Sequence, residues 1–279
     1  MCLIAFAIEA TADCALLIAS NRDEAVDRPT APLHRWTLPN GMDVIGGRDL
    51  RDGGTWLGIN TAGRVAMLTN VREAQPSPAA RSRGELATRW LAGDISEAQL
   101  RASLAPADYG GFNLVVGDVL SGAWAWLSNR DPAQPHRSGR SALHHRALAP
   151  GVYGLSNATL DTGWPKTLRL KRAMAEALAV DPTANSQAWR DGLLAALGDG
   201  DLAEALPDTG VPLAMERALS SPFVHMPERG YGTRSSLLLR ATREGQGRRV
   251  EMEEWSHGAD HGGVPRWGDD QRVSATLRW

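Results

Sequence analysis

The chain has 279 residues, 43% apolar and 22% charged, enough to bury a sizeable core as one domain spanning residues 1–279. Thirty Lys and Arg against 32 Asp and Glu leave a formal net charge of −2, which argues against nucleic acid or an anionic lipid surface as a partner. Two cysteines, Cys2 and Cys14, are too few for a disulfide framework, so a reducing, cytoplasmic setting is expected.

Residues 2–9 and 14–20 are apolar runs separated by Ala10, Thr11, Ala12 and Asp13, which predicts a β-hairpin buried on both faces. Glu9 and Asp13 interrupt this stretch and no positive segment precedes it, so a secretion signal is not expected. Residues 25–55 are dense in Gly and Pro and are read as a long loop that helps shape a binding site. Strands follow at 56–59 and 64–70 around a turn at Asn60 to Gly63. Loop chemistry marks 73–83, and helical patterns run from Arg83 to Leu91, after a Ser82 cap, and from Ser96 to Leu104.

Strands recur at 112–118, 123–129 and 151–157, then helices at 164–179, flanked by Pro182, and 186–197. A last hairpin pairs 231–241 with 248–255, and 256–271 is read as loop. No run approaches the roughly 18 uncharged apolar residues of a membrane span. Many antiparallel strands with helices in two blocks predict an α+β domain rather than a parallel α/β one.

In the first hairpin, cross-strand partners sum to about 24, which places Cys2 opposite Asn21, Arg22 and Asp23. Alternation puts Asn21 and Asp23 on one face and Arg22 and Glu24 on the other. Removal of Met1 would leave one residue carrying both a thiol and an α-amine, a nucleophile with its own base, which Asp23 would orient. The competing reading of Cys2 is a small buried apolar residue beside a solvated charged turn.

MCLIAFA, Asn21-Arg22-Asp23-Glu24 with Arg28-Pro29, and Gly53-Gly54-Thr55-Trp56-Leu57-Gly58-Ile59 resemble the NRDE-motif family, also called the transport and Golgi organisation protein two family. Leu68-Thr69-Asn70, Arg83-Gly84-Glu85-Leu86, Gly111-Phe112-Asn113-Leu114, Tyr153-Gly154-Leu155-Ser156-Asn157 and Tyr231-Gly232-Thr233-Arg234 extend the resemblance to about residue 240.

This family is similar in plan to choloylglycine hydrolase and penicillin V acylase, which implies a four-layer αββα fold of the N-terminal-nucleophile (Ntn) hydrolase kind. The resemblance implies Cys2 as nucleophile, Asp23 as its partner, Asn70 and Asn157 at an oxyanion hole, and Arg234 as a distal arginine. That hydrolase group reads Arg, Asn, any residue, Asp, where this chain has Ser20, Asn21, Arg22 and Asp23. Arg22 either reaches the site from the neighbouring position or faces away.

Two functions follow as expectations. One is a cysteine amidohydrolase acting on a linear amide or acyl bond, with no cofactor required. The other is a non-catalytic haem or acyl-lipid binding protein on the same scaffold, with some of the ten tryptophans lining its pocket. No CxxCH haem-attachment motif or phosphate-cradle spacing occurs. His257 and His261, four apart among glycines, are read as loop rather than a metal face.

Overall fold

A computed structural model describes residues 2–75, 79–136, 142–180, 187–258, 262–265 and 267–279. The chain opens with β1 (Cys2–Ile8), β2 (Cys14–Ala25), β3 (Thr30–Thr37), β4 (Asp43–Asp49), β5 (Leu57–Asn60) and β6 (Arg64–Asn70). Helices α1 (Gly84–Leu91) and α2 (Glu97–Ser103) precede β7 (Phe112–Asp118), β8 (Trp124–Ser128), β9 (His144–Ala147) and β10 (Gly151–Leu155). Helices α3 (Pro165–Ala179), α4 (Ala188–Leu197) and α5 (Leu213–Ala218) lead to β11 (His225–Met226), β12 (Tyr231–Glu244), β13 (Gly247–Ser256) and β14 (Arg272–Arg278).

These strands make two antiparallel sheets of seven. One runs β10-β1-β2-β12-β13-β14, with β11 on β12, and the other is the meander β3 to β9. Period-two alternation sorts the side chains into layers. From the first sheet Ile4, Phe6, Ile8, Leu16, Ile18, Leu239 and Met252 meet Ile45, Leu57, Ile59, Val65, Met67 and Val115 of the second. The residues between them face outward: Leu3, Ala5, Ala7, Leu17 and Leu238 pack on Leu170, Met174, Leu193 and Leu197 of α3 and α4. On the far side Ala66, Leu68, Leu114 and Val116 pack on Leu86, Trp90, Leu91 and Leu100 of α1 and α2. The expected αββα layering is therefore present. Each sheet buries both faces, which is why β1 carries no polar alternation.

Small residues set how closely helices approach. A Cβ on Gly154 would lie 2.5 Å from Thr167 of α3, and one on Gly54 would lie 2.5 Å from the carbonyl carbon of Gly84 at the start of α1. No described helix is long and apolar enough to cross a membrane.

The unbroken loop expected over 25–55 is wrong, because β3 and β4 occupy about half of it. As the edge strand of the second sheet, β3 buries only Leu33 and Trp36 and is bulged between Ala31 and His34, so its alternation is faint. Helix α2 begins as expected on Ser96, which forms a capping box with Gln99. Helix α1 instead has Arg83 at its N-cap with no side-chain cap, and Ser82 Oγ accepts only from the Gly84 N–H. The Pro182 flank, the Ser186 start of the fourth predicted helix and His261 lie outside the described residues.

Candidate active site

The sandwich has one end where β1 begins and β2 and β6 finish, and a cavity of about 650 Å³ lies there, lined among others by Cys2, Arg22, Asp23 and Asn70. Cys2 is buried, and Ser156 Oγ donates to its carbonyl oxygen at 3.3 Å, which fixes the strand start. Burial pushes the Cys2 thiol up; the Asp23 carboxylate adds to this while the Arg22 guanidinium opposes it.

The tetrapeptide divides its work by strand alternation. Of the three residues expected opposite it, Cys2 pairs in register with Arg22, so the thiol shares its face with a guanidinium rather than with Asn21 or Asp23. Arg22 lies 4.2 Å over the Trp56 ring, with Nη2 3.6 Å from Glu24. Desolvated stacking of this kind contributes about 1–2 kcal/mol. The open question over Arg22 is thereby resolved toward the cavity.

Asn21 faces the helices instead. Its Nδ2 donates to Leu197 and Pro222 carbonyls at 2.8 and 2.9 Å, and its Oδ1 accepts from Ser236, which lies 2.9 Å from His257 Nε2. This fully buried chain ties β2 to the end of α4 and to the residue after β13. It also gives His257 a structural role.

Asp23 shares that face. Its Oδ1 accepts from Thr233 at 2.8 Å and its carbonyl from Tyr231 at 3.0 Å. Burial pushes the Asp23 carboxyl up, and the nearby Lys166 ammonium pulls it back.

The two candidate oxyanion asparagines are a stack. Asn157 is fully buried and Nδ2 donates to the backbone and side-chain oxygens of Asn70 at 3.0 and 3.2 Å. Asn70 lines the cavity and Asn157 does not. The oxyanion role expected for both asparagines is therefore divided: the Asn157 side-chain donors are spent on holding Asn70. Arg234 is corrected too. It is the extra residue in a bulge of β12 between the pairs Thr233–Asp23 and Ser235–Arg22. Its Nη1 turns back to the carbonyls of Ala25 and Val26 at 2.9 and 2.5 Å, away from the cavity lining.

Sequence reasoning missed several buried charges. Lys166 is 2% exposed, donates to the Leu219 carbonyl at 3.0 Å, and is pushed down to about 8 by burial, against the opposing pull of Asp23. Its signal was legible: with Leu170, Met174 and Ala177 it falls on the buried stripe of α3. Arg72 forms a buried ion pair with Glu216 of α5 and lies 4.8 Å over Trp164. Glu216 also accepts from Thr209, and the short α5 has no periodicity to betray it. Glu254 of β13 crosses the sandwich to accept the Leu33 N–H at 2.8 Å, and burial lifts its carboxyl to about 7.

A family model described as Transport and Golgi organisation 2 matches residues 1–255. The human Transport and Golgi organization protein 2 homolog is 33% identical over 248 residues, covering 82% of this chain and 83% of that protein. The Bos taurus homolog is 32% identical over 246 residues with the same coverage. Among solved structures, a C2A mutant of conjugated bile acid hydrolase from Clostridium perfringens is similar with a TM-score of 0.49 and 10% identity, over 88% of this chain and 89% of that one. A Caenorhabditis elegans N-acylethanolamine-hydrolyzing acid amidase ortholog gives 0.43 and 12%, over 78% and 97%.

Proposed function

This chain belongs to the Transport and Golgi organisation 2 family, and from that footing we propose that it is a cysteine amidohydrolase that cleaves a linear amide or related acyl bond with Cys2 as nucleophile. The observation that carries this reading is the convergence of Cys2, Asp23 and Asn70 on one cavity from separate strand ends.

In the proposed reaction Met1 is first removed, and the freed α-amine of Cys2, oriented by Asp23, takes the thiol proton. The Cys2 Sγ attacks the carbonyl carbon to form a C–S bond. Asn70 Nδ2, held by Asn157, donates to the developing oxyanion. The C–N bond then breaks and the amine leaves with the proton. Water hydrolyses the thioester, releasing the acid and restoring the thiol. No cofactor enters these steps.

Burial that keeps the thiol protonated favours a second reading, a non-catalytic carrier of haem or an acyl lipid in the same cavity. Intact mass of the purified protein reads Met1 removal, and mass spectrometry after incubation with acyl amides reads a Cys2 adduct. An adduct that Cys2→Ala abolishes, with ligand affinity kept, is expected. No adduct on Met-free protein, together with haem or acyl-lipid binding that Cys2→Ala merely weakens, transfers the assignment to the carrier.

A further inference from the structure

Five arginines line the cavity around Cys2: Arg22, Arg28, Arg72, Arg81 and Arg83. Three are neutralised in place. Arg28 is clamped by Asp49 and Asp52, Arg72 by Glu216 and Arg81 by Glu85. The other two retain donor capacity.

Arg83 donates to the neutral Gly111 carbonyl at 3.2 Å, and among the described residues no carboxylate lies within ion-pair distance of it. Arg22 is 5% exposed and has its Nη1 buried with no hydrogen-bond partner among the described residues. A buried guanidinium N–H without an acceptor is rare and costly, so Arg22 Nη1, with Arg83 lining the same cavity, calls for an acceptor supplied from outside.

Both groups flank the nucleophile. Arg22 is the cross-strand partner of Cys2, and Arg83 lines the same cavity, where Glu24 and Glu73 act on its charge more strongly than Cys2 does. Ser82, Arg83 and Gly84 at the start of α1 line the cavity, and the Gly84, Glu85 and Leu86 N–H groups there already donate to Ser82 Oγ and to the Ser82 and Arg83 carbonyls. Of the acids on the wall, Glu73 is held by Arg130 at 2.6 Å and Asp23 accepts from Thr233, while Glu24 accepts the Ala25 N–H at 3.0 Å and lies 3.6 Å from Arg22 Nη2, so it compensates that nitrogen but not the unpartnered Nη1.

We propose that the ligand attacked by Cys2 carries a carboxylate a few bonds from its reacting carbon, and that Arg22 and Arg83 bind that carboxylate beside the thiol. The substrate class is then an acidic acyl compound rather than a neutral amide. This deepens, and as to substrate rests on, the hydrolase reading, but the binding site itself is testable without any acyl transfer.

Iodoacetate and iodoacetamide alkylate the same thiol and differ in the carboxylate. Their rate ratio at Cys2 is measured by mass spectrometry against the ratio for N-acetylcysteine in the same buffer. A preference for iodoacetate about tenfold above the free-thiol ratio is expected, lost at high salt and in Arg83→Gln, and weakened in Arg22→Lys, which keeps the charge but removes the Nη1 donor. Melting curves confirm that each variant is folded. A ratio at or below that of the free thiol, no reaction with either reagent, or insensitivity to Arg83→Gln overturns the proposal. A preference for iodoacetate with no acyl adduct keeps the carboxylate site and removes the hydrolase, whereas an adduct without that preference does the reverse.

Discussion

Cys2 and Arg22 are directly paired across β1 and β2, and both side chains leave the first sheet on the face that meets the second. The guanidinium favours a thiolate against the burial that opposes it. Arg22→Gln should therefore push the Cys2 thiol further up and slow its alkylation at fixed pH. The pH profile of iodoacetamide labelling checks this. Cys14, buried with its Sγ 3.5 Å from the Leu16 carbonyl, serves as the unreactive reference in the same digest.

The Asn157–Asn70 stack gives an ordered pair of effects on acyl transfer. Asn70→Ala removes the donor that lines the cavity and should lower the rate of adduct formation about 10²- to 10³-fold. Asn157→Ala removes only the support and should cost less. Single-turnover kinetics with an acyl amide distinguish the two, and equal effects would place both amides in the chemistry.

Glu216 holds α5 against the cavity through Arg72. Glu216→Ala leaves the Arg72 guanidinium buried and uncompensated, and should destabilise the fold by about 3–5 kcal/mol. Denaturant midpoints read this directly. Replacing both partners by apolar residues of similar volume should recover most of the loss.

Glu254 makes stability fall as pH rises. Its folded value of about 7 stands above the ordinary 4.5, so the folded state binds the extra proton. Both states are protonated below about 4.5, and the cost of ionising the buried carboxyl grows through the window from 4.5 to 7 and then levels. Its size is up to about 3 kcal/mol. Glu254→Gln keeps an acceptor for the Leu33 N–H and should flatten this decline in melting temperature between pH 5 and 8.

Local pattern determined a good deal of this protein. The apolar runs fixed β1, β2, β6, β7, β10 and β12, and alternation assigned Asn21 and Arg22 to opposite faces. The ordered motifs identified the family. These features are legible because they depend on neighbours two to four residues apart. Edge strand β3 and the short α5 were not, since one has a single half-buried face and the other no periodicity.

Only tertiary structure decided the composition of the site. Asn157 lost its place to Asn70 because a side-chain amide 87 residues away consumed its donors. Arg234 left because a bulge at Thr233 to Ser235 turned it toward the carbonyls of residues 25 and 26. Arg83, Lys166 and Glu254 gained their electrostatic roles from burial against partners far away in the chain. Desolvation depends on what packs around a group in three dimensions, and no spacing along the sequence encodes it.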